Sequence, residues 1–192
     1  MVWTKPTFII LVEDLYELPA KCYTAGAKLI TFDYQRLLPG SKNNNYIHAV
    51  RLQKFKIQKG ATEILFVSAR KILECSTANF FIFKGATLIT PKNNVLPGIT
   101  RRIILTIAKK RFKVEERDIK ISEIDSASEA FITATNKHVM PIVNIDGHKI
   151  GSGKIGKNTK WLMEEYGKYT KHYWTRKNPD DSGFFLVVAN YI

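Results

Sequence analysis

The sequence predicts an α+β domain, and three observations predict it. Turn signals at Lys84-Gly85-Ala86 and Asp146-Gly147, each flanked by short apolar runs, mark β-hairpins. Two stretches, Tyr46–Gln58 and Leu96–Ala108, instead carry apolar residues at helical spacing. Hairpins mixed with helices argue against a regular βαβ series. The 192 residues, 45% hydrophobic and 24% charged, can bury a sizeable core and have a globular composition.

In chain order, residues 6–12 (PTFIILV) read as a buried strand. FIILV follows a single lysine and lacks a small-residue cleavage pattern, so it is not read as a signal peptide. EDLYELPAKCYTAG is a connecting loop, and AKLITFDYQ a second strand. Tyr46, Ala49, Val50, Leu52 and Phe55 then form a helical stripe, with Lys54, Lys56 and Lys59 outward and Gly60 as the stop. TEILFVS (62–68) is a strand, and ANFFIF (78–83) and TLIT (87–90) are the arms of the first hairpin. Leu96-Pro97-Gly98-Ile99-Thr100 opens a second helix, with Ile99, Ile103, Ile104, Ile107 and Ala108 as its apolar stripe. EAFITAT (129–135) is a strand, and VMPIVNI and HKIG flank Asp146-Gly147. GKNTKWLMEEYGKYT makes a closing helix, and the apolar end DDSGFFLVVANYI fits no element.

The formal net charge of +13 suits a nucleic acid, an anionic ligand or a solvated surface. The cations are scattered, with no tract of five and no RNP, KH or helix-turn-helix pattern, so a specific nucleic-acid partner is not expected. Cys22 and Cys75 stand apart, which disfavours a disulfide framework or a cysteine zinc site and fits a reducing cytoplasm. The apolar runs are too short to span a bilayer. His48, His138, His148 and His172 show no metal-ligand spacing, and neither GxSxG nor GxxxxGK[ST] occurs.

Four features carry chemistry. Lys42 follows Pro-Gly-Ser and precedes three asparagines; in isolation it reads as a surface lysine. Glu74, in KILECSTANFF between an apolar strand and a Ser-Thr-Ala-Asn turn, must either cap a local N–H or pair with a cation to offset its desolvation. LPGIT offers free N–H groups and a positive dipole end, which suits an anion, though Thr100 also makes an ordinary cap. Thr135 ends a strand and could lend a hydroxyl.

Together, in order, these features form a pattern. Lys42-x-x-Asn45, Glu74-x-Ser76-x-x-Asn79-Phe80-x-Ile82, Thr90-Pro91, Leu96-x-Gly98-Ile99-Thr100-Arg101 and Phe131-Ile132-Thr133-x-Thr135 span nearly the whole chain. The pattern resembles the fold-type IV pyridoxal-phosphate enzymes, the class IV aminotransferases: branched-chain and D-amino-acid aminotransferases and aminodeoxychorismate lyase. The resemblance implies the large domain of the D-amino-acid aminotransferase-like fold, a mixed sheet or pseudo-barrel with flanking helices, over residues 1–165, with an extension of uncertain structure over 166–192. It also implies that the small N-terminal domain is absent.

For the site, the resemblance implies pyridoxal 5′-phosphate as cofactor and Lys42 as its Schiff-base lysine and proton carrier. Such a lysine needs burial and neighbouring cations to supply a neutral amine. Glu74 would pair with the pyridine nitrogen, and Leu96 would pack on the ring. Ile99 and Thr100 would hold the phosphate with their N–H groups, with Gly98 allowing close approach and Thr135 adding a hydrogen bond. Tyr46 would reach the phenolic oxygen, and the backbone at Thr135 and Asn136 would meet the substrate carboxylate. The implied reaction moves an amino group between an amino acid and a 2-oxo acid in a homodimer. A lyase of the aminodeoxychorismate type and a shortened, non-catalytic homologue are the alternatives. Glu74-Cys75-Ser76 departs from the Glu-Gly-Ser common in the family, a change that bears on the backbone beside the ring.

Overall fold

The structure, a computed structural model, describes residues 9–12 and 18–177. In chain order it contains α1 (Lys21–Thr24), β1 (Ala27–Asp33), α2 (Ile47–Arg51), α3 (Gln53–Gln58), β2 (Glu63–Ser68), β3 (Lys71–Cys75), β4 (Asn79–Lys84) and β5 (Thr87–Thr90). These are followed by α4 (Ile99–Ala108), β6 (Lys113–Glu116), β7 (Ile119–Lys120), a 3-10 turn (Ile121–Glu123), β8 (Glu129–Ala134), β9 (His138–Ile145), β10 (His148–Lys149) and α5 (Lys157–Lys177).

The strands form one mixed sheet in the order β6-β5-β4-β8-β9-β1-β2-β3-β7, with β10 on β9. β1 runs parallel to both β2 and β9, and β5 parallel to β6, whereas the other pairs are antiparallel. β3 and β4 are separated by four strands in this order, yet only residues 76–78 join them in the chain. The Cys75 N–H donates to Ala78 O at 2.7 Å across that turn. The sheet must therefore curl until β3 meets β4, which makes a pseudo-barrel with a seam at residues 75–79.

Strand alternation fills both sides of that wall. Phe80 and Ile82 of β4 and Ile132 of β8 enter the barrel interior with Leu29, Leu65, Met140 and Ile142. Phe81, Phe83 and Phe131 point outward and are covered by Ile104, Ile107 and Ala108 of α4 and by Leu162 and Tyr166 of α5. Phe81 stacks on Phe131 with ring centroids 4.7 Å apart, within the range of an offset aromatic pair.

Several expectations need correction. Ile9, Ile10, Leu11 and Val12 belong to no strand and are exposed, Val12 at 92%, so residues 9–12 are not a buried strand; 6–8 lie outside the described residues. The helix expected over 46–58 is broken at Leu52 into α2 and α3, and Val50, at 68%, faces outward. α5 runs through the boundary placed at 165 and 166, because Tyr166 is part of the outer core. The closing segment DDSGFFLVVANYI lies outside the described residues.

Candidate active site

The pleat decides which side chains reach the site. In the β2–β3 ladder Leu65 pairs with Cys75 and Val67 with Ile72, so β3 carries one extra residue, a bulge. The bulge shifts the alternation. Ile72 and Cys75 both face the barrel interior, while Glu74, inside β3 rather than in the turn after it, faces outward. Cys75 is therefore a core side chain whose thiol is pushed well up by burial, and it does not border the Glu74 face.

Glu74 is only 4% exposed. Its Oε2 accepts the Leu96 N–H at 2.9 Å, and its Oε1 accepts Arg36 Nη1 at 2.8 Å. Burial nonetheless pushes its carboxyl above the usual carboxylate range, against the downward pull of the Leu96 N–H and of Arg36. Arg36 Nη2 also donates to Ser41 O at 2.8 Å, and Nη1 reaches Pro39 O at 3.4 Å. One guanidinium thus ties the loop that ends at Lys42 to Glu74; Lys42 itself is exposed, not buried as its expected role requires, because it sits on the loop before α2. Tyr46 and Asn45 line a small hollow with Arg36 and Ser76, which brings Tyr46 to the same edge.

Asn79 holds the next part. Its Nδ2 donates to Leu96 O at 2.7 Å, and a Cβ on Gly98 would collide with its Oδ1. Only glycine fits beside Asn79, so Gly98 is required here by close approach. Gly98 is the N-cap of α4, which has neither a side-chain cap nor an acidic residue in its first turn. The first helical bond is Arg102 N–H to Gly98 O. The N–H groups of Ile99, Thr100 and Arg101 thus stand at the positive end of a ten-residue helix without that bond. Ile99, expected in the apolar stripe, is 66% exposed at this first turn. Thr100 is buried beside Tyr166, whose hydroxyl is pushed up by burial against the downward pull of the Thr100 side chain.

Thr133 pairs with Asn79 across β8 and β4 and so shares its outward face. Its Oγ1 is buried with no hydrogen-bond partner among the described residues. Thr135 and Asn136 are exposed in the turn that follows, which Lys137 N–H closes onto Ala134 O at 3.2 Å. The structure therefore gathers Glu74, Leu96, Gly98, Ile99 and Thr100 around Asn79, with Lys42 and Tyr46 on the Arg36 side and Thr135 and Asn136 beyond Thr133.

Sequence reasoning missed Arg36, Asn79 as a support, and a buried group behind the site. Glu63 accepts bonds from Ser76 Oγ, Thr77 Oγ1 (2.7 Å) and Ile64 N–H (3.0 Å), and pairs with Lys137 Nζ at 3.4 Å. No local pattern marks these residues, because each partner lies far along the chain. A wider hollow of about 460 Å3, between Lys28, Phe55, Lys59 and Asp146, has no residue in common with the site.

Known proteins resemble this chain in sequence and in fold. Residues 3–145 match the family described as Amino-transferase class IV. A branched-chain-amino-acid aminotransferase of Pseudomonas aeruginosa is 38% identical over 150 residues, covering 73% of this chain and 49% of that protein. A D-alanine aminotransferase of Listeria monocytogenes is 31% identical over 144 residues, covering 73% and 50%. A T.th. branched-chain amino acid aminotransferase, solved with pyridoxamine 5′-phosphate, superposes with a TM-score of 0.76 at 25% identity, covering 87% of this chain and 58% of that one. The chain spans half or less of the first curated relatives it matches, from 30% to 50% of their length.

Proposed function

This chain belongs to the class IV aminotransferase family, and on that premise we propose that it holds pyridoxal 5′-phosphate and moves an amino group between an amino acid and a 2-oxo acid. The observation that carries the reading is the placement of a buried acid and an open helix start on either side of Leu96. The residues present fit the cofactor. Glu74 is a desolvated carboxylate that a cationic ring nitrogen would stabilise. The first turn of α4, with Gly98 kept bare by Asn79 and the unpartnered Thr133 hydroxyl nearby, fits a phosphate.

The Ile99 and Thr100 N–H groups would bind the phosphate, with Thr135 at its rim, and Leu96 would exclude water from one ring face. Bound there, the cofactor supplies an electron sink for charge that develops at the substrate Cα. Glu74 would keep the ring nitrogen protonated, and Arg36 would hold Glu74 in register with the Lys42 loop. Lys42 Nζ would condense with the cofactor carbonyl with loss of water and, once the substrate's amine had displaced it, would carry the proton from Cα as the freed amine. Tyr46 would orient the phenolic oxygen, and the backbone at Thr135 and Asn136 would receive the substrate carboxylate. A homodimer is the assembly we propose, supported by the exposed apolar side chains Leu37, Ile47, Val50 and Ile57.

Absorbance tests this reading. The protein mixed with pyridoxal 5′-phosphate is expected to gain a visible band that borohydride removes and that Lys42→Ala never forms. A folded wild-type chain that gains no such band would overturn the proposal. Light scattering tests the dimer.

A further inference from the structure

Behind the site, two turns that carry candidate site residues are joined by charge. Lys137 follows Thr135 by two residues, and Ser76 and Thr77 follow Glu74 by two and three. Lys137 Nζ donates to Thr77 Oγ1 at 2.6 Å, and Thr77 Oγ1 donates to Glu63 Oε2 at 2.7 Å. Lys137 also pairs directly with Glu63 Oε2 at 3.4 Å. Both ends are buried: Glu63 is 3% exposed and Lys137 8%. Glu63 shares the inward face of β2 with Leu65, so the group closes one end of the barrel. Tyr23 Oη adds a bond to Lys137 O at 3.1 Å.

A buried lysine and glutamate cost desolvation, and such pairs are weak evidence for stability. What a paired, hydrogen-bonded group does give is a fixed geometry, because any displacement leaves a buried charge unsatisfied. Here the fixed distance is the one between the 135–137 turn and the turn after Glu74.

We propose that Lys137 is a positioning residue: through Thr77 and Glu63 it sets the 135–137 turn against the Glu74 side of the site and so tunes affinity for a phosphate-bearing ligand. The inference rests on the cofactor reading above. It differs from that reading because Lys137 touches neither the α4 start nor Glu74 and would act only through the turn.

Two ligands separate the effects. Pyridoxal 5′-phosphate engages Lys42 and the phosphate turn, whereas pyridoxal engages Lys42 without a phosphate. Lys137→Met is expected to weaken pyridoxal 5′-phosphate binding about tenfold, the scale of one charge-assisted hydrogen bond, and to leave pyridoxal binding unchanged. Lys137→Arg is expected to restore most of the loss. Hydrogen exchange at the amides of Asn136 and Lys137 is expected to speed up in Lys137→Met without ligand. Should Lys137→Met not fold, Thr77→Val removes the relayed bond in a side chain of similar shape and is expected to act in the same direction. A variant with faster exchange but an unchanged ratio of the two affinities would overturn the proposal, because Lys137 would then be structural only. Loss of both affinities in equal measure would overturn it as well. A wild type that binds neither compound would bring down the cofactor reading, and this inference with it.

Discussion

Two helix starts in this molecule are built alike and finished differently. At α5, Glu129 fills the end with its own carboxylate: Oε1 accepts the Asn158 N–H at 3.1 Å and Oε2 the Thr159 N–H at 2.7 Å. At α4 no side chain among the described residues caps the end, and the first turn holds no acid. Both starts follow a glycine that cannot accept a Cβ, Gly156 against the Glu129 carboxylate and Gly98 against Asn79. The same backbone polarity is thus satisfied from within at one helix and left open at the other. Glu129 lies two residues from Phe131 at the centre of the outer core, which makes α5 an internal strut. The α4 start lies at the seam where β3 meets β4, beside Glu74.

The largest effect is expected where the filled end is emptied. Glu129→Ala removes two charge-assisted bonds, one from the buried Thr159 N–H and one from the half-buried Asn158 N–H, and should cost about 2–4 kcal/mol, read as a lower urea midpoint, with cofactor affinity per folded molecule unchanged. Gly98→Ala forces the 96–98 segment off Asn79 and is expected to cost about 1–3 kcal/mol and also to weaken cofactor binding, both measurable in one titration series. Equal losses of cofactor affinity in these two variants would break the distinction between the ends. Ile99→Asp sharpens it from the other side. An acid placed in the first turn of α4 should stabilise the apo chain by about 0.3–1 kcal/mol, yet repel the cofactor phosphate. A rise in melting temperature together with a fall in affinity is the expected pair.

The smallest effect concerns a third end filled by an acid. Glu123 Oε1 accepts the Lys120 N–H at 3.0 Å, and its carboxylate also meets Arg117 and Lys84. Chiefly because of Arg117, its pKa falls from the usual 4.5 to about 2. Its contribution to stability is therefore fully present above about pH 4.5 and is lost as pH falls towards 2. Glu123 is partly solvated, so screening keeps the effect modest. Glu123→Gln should flatten the acid limb of a urea-midpoint-against-pH curve; an identical limb would refute the role.

Much of this plan is legible in the sequence because it is local. The hairpin turns, the α4 stripe beyond Ile99 and the LPGIT start all rest on neighbours within a few residues. The hairpin turn between β2 and β3 escapes a sequence reading because it uses Ala69 and Arg70 at φ 48° and 60°, a left-handed pair that advertises no glycine or asparagine. β6 escapes it because KVEE is a charged edge strand with little alternation to detect. FIILV misleads in the opposite sense, since an apolar run carries no record of whether a partner covers it. At the site, Lys42, Glu74 and Thr100 can be singled out by motif. Arg36, Glu63 and Lys137 cannot, because their roles exist only once distant turns meet.

The bulge in β3 gives the site a parity. Which of two adjacent side chains, a carboxylate or a thiol, faces the α4 start is fixed by the bulge between Ile72 and Cys75, not only by their identity. Strict alternation from inward Ile72 would turn Glu74 into the apolar barrel and Cys75 out; the bulge absorbs the extra residue, so deleting Leu73 is expected to remove the bulge and leave Glu74 facing out. The direction of the acid therefore depends on the bulge as well as on the residue, a dependence that the Glu74-Cys75-Ser76 motif does not record.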